Sequence, residues 1–167
     1  LAMLNNVPFD GWSWQALYNG AEDLKIFSTE IREDEKIKLK SIFEFDLVNI
    51  VNDFNNYLDE KMKKKFLKEK NNDLWTPERI KKLILLRLQF TKNFKESIRV
   101  SLSFMSLPNN AKRSINMLYR TCDKIWRVSG DRSTDFSFYT KRLILSGVYS
   151  STLLYWINDD SKDSKDT

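Results

Sequence analysis

An all-α domain is what this 167-residue chain predicts. Four glycines and three prolines are few punctuators for such a length, so the elements must be long and uninterrupted. Apolar residues recur every three or four positions along most of the chain, which is the period of one helix face. No alternating apolar–polar run bounded by turn signals reads as a strand. The expected architecture has about seven to nine helices, small ones first and long ones after.

The chain opens with the tail of a first helix over residues 3–9, stopped near Pro8 and Gly11. Ser13 is the expected N-cap of a short helix from Trp14 to about Leu24, with Ala16, Leu17 and Ala21 on its inner face. Ser28 or Thr29 would cap a third, charged helix running to about Lys40. From Asp46 the pattern sharpens: Leu47, Ile50, Val51, Phe54, Leu58, Met62 and Phe66 mark one face of a helix of roughly twenty residues. Its end, KMKKKFLKEK, is strongly basic. That run reads either as a helix C-terminus favoured by cations with a solvated face, or as a surface attracted to anionic lipid.

Thr76-Pro77-Glu78 starts the next helix, with Ile80, Leu83, Ile84, Leu88 and Phe90 inward. Another covers about Phe94 to Leu107, with Ile98, Leu102 and Met105 inward. After Pro108, a stripe of Ala111, Ile115, Leu118, Cys122, Ile125 and Trp126 makes a long helix that Gly130 ends. The final helix carries fifteen residues without a charge, Leu143 to Ile157. A segment of that kind calls for cover on nearly all sides. Residues 159–167 read as a polar, frayed tail, so the chain divides into 1–45, 46–158 and 159–167.

Charge is zoned. Residues 1–60 hold 5 basic and 12 acidic side chains, residues 61–99 hold 13 and 4, and the remainder 10 and 7. The N-terminal helices could form a helix-turn-helix, but Glu22, Asp23, Glu30, Glu33, Asp34 and Glu35 lie where DNA phosphates would have to be met. Nucleic acid is therefore not an expected partner. One cysteine rules out an intrachain disulfide and fits a reducing compartment. The N-terminus has no basic-then-apolar signal pattern, and no apolar run reaches the ~18 residues of a membrane span. A soluble, intracellular domain is expected.

Catalysis finds little to work with. There is no histidine, the commonest base and metal ligand. Cys122 falls on an apolar stripe, where a thiol is structural rather than nucleophilic. No catalytic residue, metal site or cofactor is expected. Asp131 and Asp135 flank a turn, where Asp most often caps a helix or binds backbone N–H groups. The last two helices carry an excess of bulky apolar side chains interleaved with Ser146, Gly147, Ser150, Ser151 and Thr152. Small residues there permit either close helix packing or room for a ligand, and the residues alone leave both readings open.

The stretch GDRSTDFSFYTKR followed by LILSGVYSSTLLYW closely resembles the signature of the ubiquinone (coenzyme Q) biosynthesis accessory family, the ninth protein of the coenzyme Q set. SLPNNAKRSINMLYRTCDKIW resembles that family's penultimate long helix, VPFDGWSWQAL its N-terminal motif and FDLVNIVNDFNNYLDEKM its fourth helix. The resemblance implies a TetR-type regulator-like fold with a degenerate N-terminal helix-turn-helix. It implies a non-enzymatic protein that binds isoprenoid quinone intermediates or phospholipid and presents substrate to the di-iron demethoxyubiquinone hydroxylase. A TetR-type transcriptional regulator with a hydrophobic ligand is the alternative. The family is generally dimeric and sits at a membrane surface, peripheral to the bacterial inner membrane or on the mitochondrial matrix side of the inner membrane.

Carried over by position, the hydroxylase-binding patch falls on Ile125, Trp126, Phe138 and Tyr139. The lipid-pocket candidates are Leu102, Met105, Leu118, Cys122, Leu145, Val148, Tyr149, Thr152 and Trp156. Asp131, Asp135 and Arg142 are expected to fix the turn between the last two helices. Phe138 stands where some members have Trp, and the charged segment Lys25 to Lys40 is longer than usual. The family also continues past the position of Thr167 into a further helix and an amphipathic membrane-binding one.

Overall fold

A computed structural model describes residues 11–26, 31–44, 46–71, 73–161 and 167. Among these residues the regular structure is entirely helical. The elements are α1 (Trp14–Asp23), α2 (Glu33–Ile42), α3 (Leu47–Lys68), α4 (Thr76–Thr91), α5 (Lys95–Met105), α6 (Ala111–Ser129) and α7 (Phe136–Asn158). Short 3-10 turns at Lys92–Phe94 and Pro108–Asn110 precede α5 and α6. The order is compatible with a TetR-type arrangement. Residues 3–9, expected to be a helix tail, and the expected caps Ser28 and Thr29 lie outside the described residues.

The chain forms two units, Leu1–Phe54 with Phe94–Arg113, and Asn55–Asn93 with Ser114–Thr167. The division falls inside α3 and α6.

In the first unit, Ser13 caps α1, its hydroxyl accepting from the Ala16 N–H at 3.1 Å. Buried Tyr18, Ala21, Ile31 and Leu39 pack with Trp14 and Phe43. The α2 helix begins at Glu33, later than expected, on a first turn of Glu33, Asp34 and Glu35. Three acids there suit the positive end of the helix dipole, and the Arg32 N–H donates to Glu35 Oε2 at 3.1 Å. The Trp12 indole N–H donates to Ser101 Oγ at 2.9 Å, tying the start of the described chain to α5.

The second unit closes around Leu58, Met62, Leu83, Cys122, Ile125, Leu145, Tyr149 and Trp156, all buried. Within it lies a polar knot that the apolar stripes did not announce. Arg87 Nε donates to Asp59 Oδ1 at 2.8 Å. Its two terminal nitrogens donate to Tyr149 Oη and Asn55 Oδ1. Thr121 Oγ1 donates to Asp59 Oδ2 at 3.0 Å and accepts from Asn55 Nδ2 at 3.1 Å. Side chains from α3, α4, α6 and α7 thus satisfy one another. Burial pulls the Arg87 guanidinium toward neutrality, but Tyr149 and Asp59 outweigh it and hold it charged. Burial pushes the Tyr149 phenol up.

The polar tail is partly anchored. Asp159 is buried, its carboxylate accepting from the Ser161 N–H at 2.9 Å and from Thr167 Oγ1 at 2.6 Å. Residues 162–166 lie outside the described residues.

A candidate lipid groove and the turn that closes it

The turn between α6 and α7 is set by local chemistry. Gly130 takes φ of +104°, a left-handed conformation in which a side chain would be strained. The Gly130 N–H donates to the Arg127 carbonyl at 3.1 Å and the Asp131 N–H to that of Trp126 at 3.0 Å, which terminates α6. Asp135 then caps α7, its carboxylate accepting from the Ser137 N–H at 3.2 Å.

Arg142, 1% exposed, holds the turn from inside. Its Nε donates to Asp123 Oδ1 at 2.7 Å, and its Nη1 to Asp131 Oδ2 at 3.3 Å and the Phe138 carbonyl at 2.9 Å. The guanidinium carbon also sits 3.4 Å from the centre of the Phe138 ring. Asp131 further accepts from Lys141 Nζ at 2.8 Å and from Ser133 Oγ. Burial pushes the Asp131 carboxyl up, but the donors Lys141, Ser133 and Arg142 outweigh it and bring it down to about 2.

Above this turn, α4 and α7 border an open groove of about 840 Å³. Thr76, Pro77, Ile80, Lys81, Ile84 and Leu85 line it from α4, and Lys141, Ile144, Leu145, Val148 and Thr152 from α7. Trp126, Gly130, Asp131, Arg132 and Thr167 complete the lining. Its walls are aliphatic, and Lys81, Arg132 and Lys141 add cationic groups beside Asp131. The volume lies within the range of small-molecule sites, about 300–1,000 Å³. Such a lining suits an amphiphile, a long apolar body with a polar or anionic head.

The residues expected from sequence distribute unevenly around this groove. Leu145, Val148 and Thr152 line it. Cys122, Tyr149 and Trp156 are buried in the packing of the second unit, and Leu118 is half-buried. Leu102 and Met105 belong to the first unit. Helical period identifies an inward face, but it does not separate a packed seam from an open one. Of the expected hydroxylase-binding residues, Ile125 is buried and can only support a surface from beneath. Trp126 is half-buried, donates its indole N–H to the Lys141 carbonyl at 3.0 Å and lines the groove. Phe138 is half-buried against Tyr139, ring centres 5.1 Å apart, and Tyr139 itself is 64% exposed.

The uncharged run Leu143–Ile157 is covered on one face only. Leu143, Ile144, Val148, Leu154 and Tyr155 stand exposed on the other, with Phe136 and Tyr139 at its start. The α4 wall lies outside the pocket residues expected from sequence, although Ile80 and Ile84 fall on the expected inward face of that helix. Its signal was the position of Ile80, Ile84 and Leu85 beside the cations Lys81 and Lys82. No group of carboxylates, thiols or imidazoles among the described residues could hold a metal ion. No helix among them is long and apolar enough to cross a membrane.

Residues 111–167, which include α6, the turn and α7, match the COQ9 family model. Over 99% of its length the chain is 30% identical to a Rattus norvegicus protein named ubiquinone biosynthesis protein COQ9, mitochondrial, covering 53% of that protein. The Homo sapiens protein of that name is 30% identical over 99% of this chain and 52% of its own. COQ9-A of Xenopus laevis is 31% identical with the same two coverages. The chain spans about half the length of these relatives.

Proposed function

This chain belongs to the COQ9 family, and we propose that it serves ubiquinone biosynthesis as a non-enzymatic carrier of an isoprenoid quinone intermediate or a phospholipid. The observation that carries this reading is the groove between α4 and α7, aliphatic along its walls with cations among its lining. A prenyl tail would lie along Ile80, Ile84, Ile144 and Val148, excluded from water, while Lys81, Arg132 and Lys141 meet a polar head. The names of the relatives support the pathway.

The carrier would present its lipid to the di-iron demethoxyubiquinone hydroxylase through the exposed apolar start of α7. Phe136, Tyr139 and Leu143 stand open there, one helical turn apart or nearly so. Exposed apolar patches of this kind mark protein contacts. A homodimer at the matrix face of the mitochondrial inner membrane, or its bacterial counterpart, completes the proposal.

Extraction of the purified protein and mass spectrometry of its lipids tests the groove. The parent protein is expected to carry isoprenoid or acyl lipid, and Ile144→Asp, which places a charge on an exposed groove wall, to carry far less. Lipid-free parent protein from cells that make ubiquinone would sink the carrier reading. For the partner, Tyr139→Ala should weaken co-purification with the hydroxylase while the circular dichroism stays unchanged. An undiminished pull-down removes Tyr139 from the interface.

A further inference from the structure

We propose that the corner joining α3 to α4 is a docking surface for an anionic lipid bilayer. Lys61, Lys64, Lys65 and Lys68 are exposed and spaced three, one and three residues apart, which places them in one row along the last two turns of α3. Lys65 and Lys82 both reach Glu69, at 3.1 and 2.7 Å, so the first turns of α4 lie beside that row. From residue 61 to 82 there are nine cations and three acids, Glu69, Asp73 and Glu78. Glu69 is occupied by its two lysines, and Glu78 accepts the Trp75 N–H at 3.2 Å.

Two large apolar side chains stand open among these charges. Trp75, at the N-cap of α4, is 68% exposed, and Leu67 is 64% exposed. Water is a poor environment for both. Their pairing with lysines fits a bilayer better than a nucleic acid: indole rings settle at the headgroup level, aliphatic side chains enter the acyl boundary, and lysine stems let the ammonium groups stay among the phosphates. Trp75 also directly precedes Thr76 and Pro77, which line the groove, as does Lys81. Docking by this corner therefore sets one end of the groove at the lipid surface, where an amphiphile would enter or leave. The surface refines the membrane placement proposed above, but it does not depend on what fills the groove.

Sedimentation of the full chain with vesicles tests it, using pure phosphatidylcholine and an equal mixture with phosphatidylglycerol. Binding is expected to the anionic vesicles, to fall as salt rises, and to be negligible on the neutral ones. Removing a lysine near an anionic surface weakens partitioning about 5-fold, so Lys64→Gln with Lys68→Gln should lower it about 25-fold. Trp75→Ala should lower it several-fold in low and high salt alike. All these residues are exposed, and the salt series on the parent chain needs no variant. Parent protein that ignores anionic vesicles, binds both compositions equally, or keeps its affinity in the double-lysine variant overturns the proposal. So does a double variant that loses duplex DNA or RNA binding instead. Lipid retention in the groove should be untouched by the lysine changes, so vesicle binding without groove lipid removes the carrier reading and leaves this surface standing.

Discussion

Single residues carry the greatest energetic consequence where charge is buried. Arg87 and Asp59 are each a few per cent exposed and satisfy one another with Asn55, Thr121 and Tyr149. Removing one member strands the other in a dry interior, which costs about 3–5 kcal/mol. Asp59→Ala is therefore expected to unfold the second unit at much lower urea than the parent chain, while Arg87→Met combined with Asp59→Leu should recover most of the loss. A double variant as weak as Asp59→Ala alone would show that the surrounding hydrogen bonds, not the ion pair, set the stability. Asp131 makes a pH-dependent contribution. Its carboxyl titrates at about 2 in the folded chain, below its ordinary 3.8. The stabilisation is thus fully present above the ordinary value and is lost as pH falls through the folded one. Parent and Asp131→Asn should differ in urea midpoint at neutral pH and converge between about pH 5 and pH 2.

At the scale of elements, α7 depends on its first turn. Asp135→Ala removes the cap and should cost about 1 kcal/mol, read as a lower melting temperature with the helix content kept. Much of this level was legible beforehand. Ser13 and Gly130 punctuate the sequence as they punctuate the structure, because caps and left-handed glycines are local chemistry. Thr76-Pro77-Glu78 opens α4 as expected, but the N-cap is Trp75 rather than Thr76. The stripe of α6 was legible only in part: Cys122 and Ile125 are buried, but Ile115 is 66% exposed and Met117 and Thr121 take the inward positions instead. What could not be read was three-dimensional: Tyr149 looked like a pocket wall and is a packed partner of Arg87, and Ile125, which the family resemblance placed in a partner-binding patch, is core, as its place on the apolar stripe had it. Arg87 itself interrupts the apolar run of α4, and a charge in such a place was the available sign of a buried partner.

For the molecule as a whole, charge zoning sets how it meets other surfaces. Residues 1–60 carry a net charge of −7, and residues 61–99 one of +9. A helix-turn-helix placed in the acidic third would repel phosphate, so no salt-sensitive binding to operator-like duplex DNA through that region is expected at physiological ionic strength. A clear shift in such an assay, abolished by substitutions in α1 or α2, would restore the regulator alternative. Cys122 offers a different view of the whole chain. It is the only thiol, fully buried, with Ser146 Oγ 3.4 Å from its sulfur and its pKa pushed up by burial. A thiol reagent can reach it only while the packing around it is apart. The labelling rate is then a clock for that opening, with no second sulfur to blur it, and a lipid seated in the adjacent groove should slow the clock.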